Sequence, residues 1–364
     1  MMSEDADLQL ISDVARTLVA LDEIDDLLSF RLPYPPIAQR TLDRIVLTCL
    51  VDEATPPGSL PGLVKWCHER PLLKWPLDLP PEVFSEKSLL LDPSSGVLTE
   101  LCVELAQLAG SRSPLGEAAA IMNDAKPGLA RQENQEDYCQ LRRFLIDYPV
   151  LDNEVMRQVG FTVDVGRFDE LLNSLYQPAS ARYERDGGLI SCRECGDLMA
   201  PVGDDDWSCE REACRRTGRE EIGRIWLASE NVRHLPRRHR QFVGGPARVA
   251  IRLAGHPALL AMPGLRADLW PGFGEYDLRI TTPDDVEATV RVVDWHNPAL
   301  LGMASRESGD RQTLHVIPDY RIDQDPNYIA TVVRWDGGDA TRFCSESEVI
   351  RRIQDLHRKG GHGA

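Results

Sequence analysis

The sequence has no G-x-x-x-x-G-K-[ST] motif, so the chain does not hydrolyse nucleotides through a P-loop. It has no apolar run approaching the roughly 18–20 residues needed to cross a bilayer, and no membrane association is expected. The N-terminal stretch MMSEDADLQL lacks the basic region that opens a secretory signal, which points to a cytoplasmic protein. Aromatic residues are scarce, at 6% of 364, and positive charge is in deficit: 41 Lys and Arg against 58 Asp and Glu leave a net −17. A chain this acidic repels nucleic acid as a whole and holds it only through a local patch. There is no internal repeat of fixed period.

What is present suffices for two or three domains. The hydrophobic share is 42% and the charged share 27%, a globular rather than a disordered profile. Charge is unevenly spread. Residues 1–190 hold 17 basic and 31 acidic side chains, whereas residues 211–252 hold 11 basic and 4 acidic. That second segment is either a polyanion-binding patch or a solvated, arginine-rich linker.

The first 185 residues read as a helical docking domain. Leu10, Ile11, Val14, Leu18, Leu21 and Leu28 follow the spacing of one helical face. PIAQRTLDRIVLTCLVDEA, GVLTELCVELAQLAG, RQENQEDYCQLRRFLIDYP and DVGRFDELLNSLYQ behave similarly. Proline-rich breaks at RLPYPP, ATPPGSLPG and KWPLDLPPE separate the helices, because proline cannot continue one. Five cysteines (Cys49, Cys67, Cys102, Cys139 and Cys344) lie scattered among apolar neighbours and read as small buried hydrophobes.

The other four are clustered. Cys192, Cys195, Cys209 and Cys214 follow C-x2-C-x13-C-x4-C, two pairs on short turns joined by a hairpin-length spacer. That spacing suits tetrahedral thiolate coordination of zinc, and four cysteine ligands close the site, so the ion is structural. The competing reading is four buried or disulfide-bonded cysteines, and a cytoplasmic chain disfavours the disulfides. A zinc ribbon is therefore expected over residues 186–228. A basic linker over 229–245 follows. Arg215, Arg216, Arg219, Arg233, Arg237, Arg238 and Arg240 lie in or beside these segments as candidate phosphate contacts, since the arginine fork matches phosphate oxygens.

Residues 246–364 are α/β in texture. GPARVAIRLAG reads as a strand or a short helix. EYDLRIT and TVRVVDWHNP read as strands carrying Asp277 and Asp294, the second strand ending at Asp294-Trp295-His296. SESEVIRRIQDLHRKGG reads as a terminal helix. A mixed sheet with flanking helices fits this order.

DLWPGFGEYDLRI, then DWHNPALL, then HVIPDYRI with NYIATVV, resembles the restriction-endonuclease-like component of prokaryotic pPIWI-RE three-gene islands. The proline-punctuated helical half and the central four cysteines are similar to that family too. The resemblance implies a PD-(D/E)xK nuclease fold and a place in defence against invading DNA. It also implies a PIWI-type protein and a DinG-type helicase as partners, with nucleic acid, DNA in preference to RNA, as the bound polymer. Asp277 matches the first acid of the family pattern. The D-x-K acid and lysine are replaced by Arg291 and Val293.

Side-chain parity sharpens the point, because neighbours along a strand face opposite ways. Arg291 and Val293 share one face, while Asp294 and His296 share the other unless a bulge intervenes. Three readings follow. The chain is a nucleic-acid-binding component with a degraded nuclease site. Alternatively it is a Mg2+-dependent DNA endonuclease using Asp277, Asp294 and His296, the histidine in the lysine slot. Thirdly it is a zinc-ribbon adaptor between proteins. Asp294 could equally cap the helix that opens at HNPALL.

Overall fold

The computed structural model describes residues 2–22, 34–108, 135–160, 175–216, 218, 221–236, 240, 244–308 and 312–360. The chain divides into two compact units. One comprises Met1–Pro114, Ser180–Glu194 and Leu198–Ile222; the other comprises Leu115–Ala179, Cys195–Asp197 and Gly223–Ala364. No helix among the described residues is long and apolar enough to cross a membrane.

In the first unit the apolar stripe of the N-terminus becomes helix α1 (Met2–Asp22). Leu10, Ile11, Val14 and Leu18 are buried and Leu21 is half-buried, while Leu28 lies outside the described residues. Helix α2 (Pro36–Val51) starts on a proline, whose missing N–H costs nothing in a first turn. Helix α3 (Leu60–Glu69) is capped by Ser59, whose hydroxyl accepts the Gly62 N–H at 3.2 Å. Helix α4 (Glu100–Leu108) is capped likewise by Thr99, which accepts the Cys102 N–H at 3.1 Å. α1 packs against both α2 and α4. Between α3 and α4 the prolines prevent a long helix, and Leu72, Trp75, Leu79, Phe84 and Leu90 are buried from irregular backbone instead. Met199–Val202 and Asp206–Cys209 form an antiparallel hairpin about Gly203, which has a left-handed φ of +58°.

The second unit is built on a five-stranded sheet: β1 (Arg266–Leu269), β2 (Leu278–Thr281), β3 (Glu287–Val292), β4 (Leu314–Ile317) and β5 (Phe343–Ser345). Its spatial order is β5-β4-β3-β2-β1. The first three strands run antiparallel as a meander, and β4 and β5 run parallel to β3. Parallel neighbours need crossovers. Helix α7 (Pro298–Ser308) leads from β3 to β4, and helix α8 (Tyr328–Asp336) lies between β4 and β5.

GPARVAIRLAG is helical. Its apolar residues fall on one helical face, and it forms α6 (Gly245–Ala254). Val249, Ala250 and Leu253 of α6 meet Leu278, Ile280, Val290, Val292, Val316 and Cys344 from the sheet. Val349, Ile350 and Ile353 of the terminal helix α9 (Glu346–Gly360) close the same core. A second core forms around helix α5 (Gln135–Asp147), where Tyr138, Leu141, Leu145 and Ile146 pack with Trp270 and Leu235. DVGRFDELLNSLYQ falls mostly outside the described residues.

α7 and α8 approach closely at Gly302. A Cβ there would sit 2.5 Å from the Val332 carbonyl oxygen and 2.7 Å from the Trp335 Cβ. Backbone atoms cannot swing aside, so Gly302→Ala is expected to cost about 1–3 kcal/mol. The check is the urea midpoint, which should fall with the slope unchanged.

Candidate nuclease-like site and four-cysteine centre

Asp277 sits one residue before β2 and is buried. Its N–H donates to the Val290 carbonyl at 3.0 Å, and its carboxylate accepts the Val292 N–H at 2.9 Å. Both contacts seat it on β3. The register sets Leu278 opposite Val290, so Asp277 lies opposite Arg291. Arg142, from α5, brings a guanidinium nitrogen to 3.5 Å from the carboxylate and is 4% exposed at its side chain. That guanidinium also stacks over Trp270, 4.5 Å from the ring centre. Burial pushes the Asp277 carboxyl up from its ordinary value, while Arg142, the Val292 N–H and Arg291 pull it back only in part. The carboxylate's contacts are thus taken up by Arg142 and by the backbone of the neighbouring strand.

Asp294 belongs to different surroundings. The strand stops at Val292, earlier than the sequence suggests, so Asp294, Trp295 and His296 lie in the turn beyond it. The Asp294 carboxylate accepts Arg321 Nε at 2.8 Å and the Tyr320 hydroxyl. Arg321 is 3% exposed at its side chain. Gly245, at the start of α6, packs so tightly on Asp294 that a Cβ would lie 2.1 Å from its Oδ2. The helix that opens at Pro298 is capped by Asn297 instead, whose side-chain oxygen accepts the Ala299 and Leu300 N–H groups at 3.0 and 3.2 Å. His296 is half-buried. Among the described residues, the one group of three or more Cys, His, Asp or Glu side chains able to share an ion is the four-cysteine cluster, and Asp277, Asp294 and His296 form none.

In that cluster Cys192, Cys195, Cys209 and Cys214 are all buried, and their sulfurs lie within 4.8 Å of one another. Thiolates held about 2.3 Å from a tetrahedral ion stand roughly 3.8 Å apart, so the donor set fits a metal with slight contraction. None of the four is in a disulfide. The hairpin delivers Cys209, whose sulfur accepts the Arg211 N–H at 3.4 Å. The Glu212–Arg216 turn of helix delivers Cys214. Gly196 follows Cys195 with a left-handed φ of +78°, as the tight knuckle requires.

The arginines are dispersed. Arg215 donates to the Cys209 carbonyl and lies 3.6 Å from Asp92. Arg216 pairs with Glu212. Arg233 is half-buried in a two-residue strand that pairs with Val150–Leu151 and Gln177–Pro178. Arg240 is buried. Arg219, Arg237 and Arg238 lie outside the described residues.

Sequence reasoning missed Arg142, Arg321 and Tyr320. The last two stand in the quoted HVIPDYRI stretch, where β4 gives way to a short helix, Asp319–Gln324. An arginine beside a tyrosine after a strand was the available signal.

The family described as pPIWI_RE three-gene island domain Y matches residues 10–152. The family described as REase associating with pPIWI_RE matches residues 248–361, which hold most of α6 and the whole sheet. No curated protein and no solved structure matches the chain.

Proposed function

From the premise that this chain belongs to the REase components of pPIWI-RE islands, we propose that it is a nucleic-acid-binding member of a prokaryotic defence complex, with a nuclease-type domain that does not cut. One observation carries the reading: each candidate catalytic acid is matched to its own buried arginine, Asp277 to Arg142 and Asp294 to Arg321. A guanidinium at hydrogen-bonding distance takes the place a divalent cation would need. The family pattern's second acid and lysine are Arg291 and Val293, and Arg291 faces Asp277. Val293 supplies no charge to stabilise the transition state of phosphodiester cleavage. The sheet supports a degraded PD-(D/E)xK fold, with its first acid before one strand and the altered D-x-K positions at the end of the strand paired to it, Arg291 within it and Val293 one residue past it.

On this reading residues 1–185 dock the partner proteins, a PIWI-type protein and a DinG-type helicase. Residues 186–228 form a zinc ribbon. Four buried thiolates select a soft or borderline ion, and zinc has no geometric preference to strain them. The basic stretch over 229–245 contacts phosphates, DNA in preference to RNA.

The test is DNA binding measured against salt concentration. Arg237→Glu with Arg238→Glu is expected to weaken binding to all sequences alike and to flatten the slope of log affinity against log salt by about 2. Arg240 is left in place because it is buried. Binding and slope that match the unaltered chain would move the function to a protein–protein adaptor.

A further inference from the structure

We propose that Arg248 is a positioning residue that couples metal loading at the four cysteines to helix α6 and to the Asp294 corner of the sheet. The inference rests on the reading of the cysteine cluster as a metal site, and it is independent of whether the chain binds DNA.

The knuckle after Cys195 is closely seated. Gly196 is left-handed, and a Cβ there would lie 2.8 Å from the Pro149 ring. Arg248, in the first turn of α6, donates to the Cys195 carbonyl at 2.9 Å and reaches the Ile146 carbonyl at 3.4 Å. One fork thus ties the knuckle to the C-terminal end of α5. Residues three apart on a helix share a face. The neighbour of Arg248 on that face is Gly245, which has no room for a Cβ against Asp294. The first turn of α6 is therefore held at one point by a ligand's own carbonyl and at another by the Asp294–Arg321–Tyr320 group.

The position of the Cys195 carbonyl follows from the closure of the knuckle. Two sulfurs converging on one ion fix the intervening backbone, and without the ion nothing draws them together and the turn relaxes. Arg248 then loses the shorter of these two carbonyl contacts, and the first turn of α6 is held less firmly. Coupling of this kind is reciprocal: if metal steadies α6 through Arg248, then Arg248 strengthens metal binding. Groups that orient metal ligands from outside the coordination sphere are typically worth 10–100-fold in affinity.

The experiment uses the full chain, with Zn2+ as the probe. Zinc affinity is measured by competition with a chromophoric chelator, and amide hydrogen exchange over residues 245–254 is followed with zinc and after chelator stripping. In the unaltered chain, stripping is expected to speed exchange across α6. Arg248→Met is expected to keep one zinc per chain with about 10-fold weaker affinity, and its α6 amides should exchange alike in both states. A purely structural Arg248 would leave the zinc affinity of the variant unchanged, and that result overturns the proposal. So does α6 exchange in the unaltered chain that ignores stripping, a comparison that stands even if the variant fails to fold. An unaltered chain that binds no zinc would instead remove the metal-site reading beneath it.

Discussion

Replacing Cys214 with serine is expected to strip the chain of its ion and to loosen the backbone between Gly188 and Arg216. The magnitude follows from how small the elements are that the ion would cross-link. Its described elements are a five-residue strand, a four-by-four hairpin and one turn of helix. Elements this small bury little apolar surface among themselves. Structural zinc sites carry about 10–16 kcal/mol of apparent binding free energy at neutral pH, and much of it is folding free energy. A serine hydroxyl stays protonated and leaves a three-thiolate site. Elemental analysis should fall from about one zinc per chain to background. Limited proteolysis should open the segment while the sheet of the second unit resists. Freshly purified unaltered protein without zinc would contradict this account of the cluster.

The second large effect is at Asp294. Asp294→Ala removes the carboxylate that accepts from Arg321, 3% exposed at its side chain, and from the Tyr320 hydroxyl. Breaking a buried ion pair from one side costs about 3–5 kcal/mol. Adding Arg321→Met removes the buried charge that Asp294 balanced and should return much of the loss, so the double-mutant cycle should show strong coupling. A carboxylate poised for catalysis gives the opposite signature, because its removal relieves repulsion and leaves stability unchanged or raised. Denaturant unfolding of the four proteins in the cycle distinguishes the two. Equal stability of Asp294→Ala and the unaltered chain would count against a structural Asp294.

Short-range spacing revealed much of this in the sequence, and long-range pairing hid the rest. The α1 stripe, the four cysteines and the acid before β2 are set by residues close in sequence, so periodicity and motif spacing expose them. Arg142 meets Asp277 across 135 positions, and no local pattern encodes that. Asp294 and Asn297 stand three residues apart as rival caps, and the choice of Asn297 depends on where the strand ends and on Arg321, 27 residues away. GPARVAIRLAG was ambiguous because a short apolar run suits a buried strand as well as a helix, and the packing of Val249, Ala250 and Leu253 on the sheet decides for helix. The positive count over 211–252 overstated the charge free to meet a polyanion. Arg216 and Arg224 are paired with acids, and Arg215 and Arg248 donate to carbonyls. A charge tally does not distinguish a guanidinium facing solvent from one holding the fold.

On the proposed reading the nuclease-type domain has given its acids to arginines. The decisive measurement incubates supercoiled plasmid with the purified full chain in Mg2+ and in Mn2+. No nicking above the level of an Asp277→Ala preparation is expected in either metal. Robust Mg2+- or Mn2+-dependent cleavage that disappears in both Asp277→Ala and Asp294→Ala would contradict it.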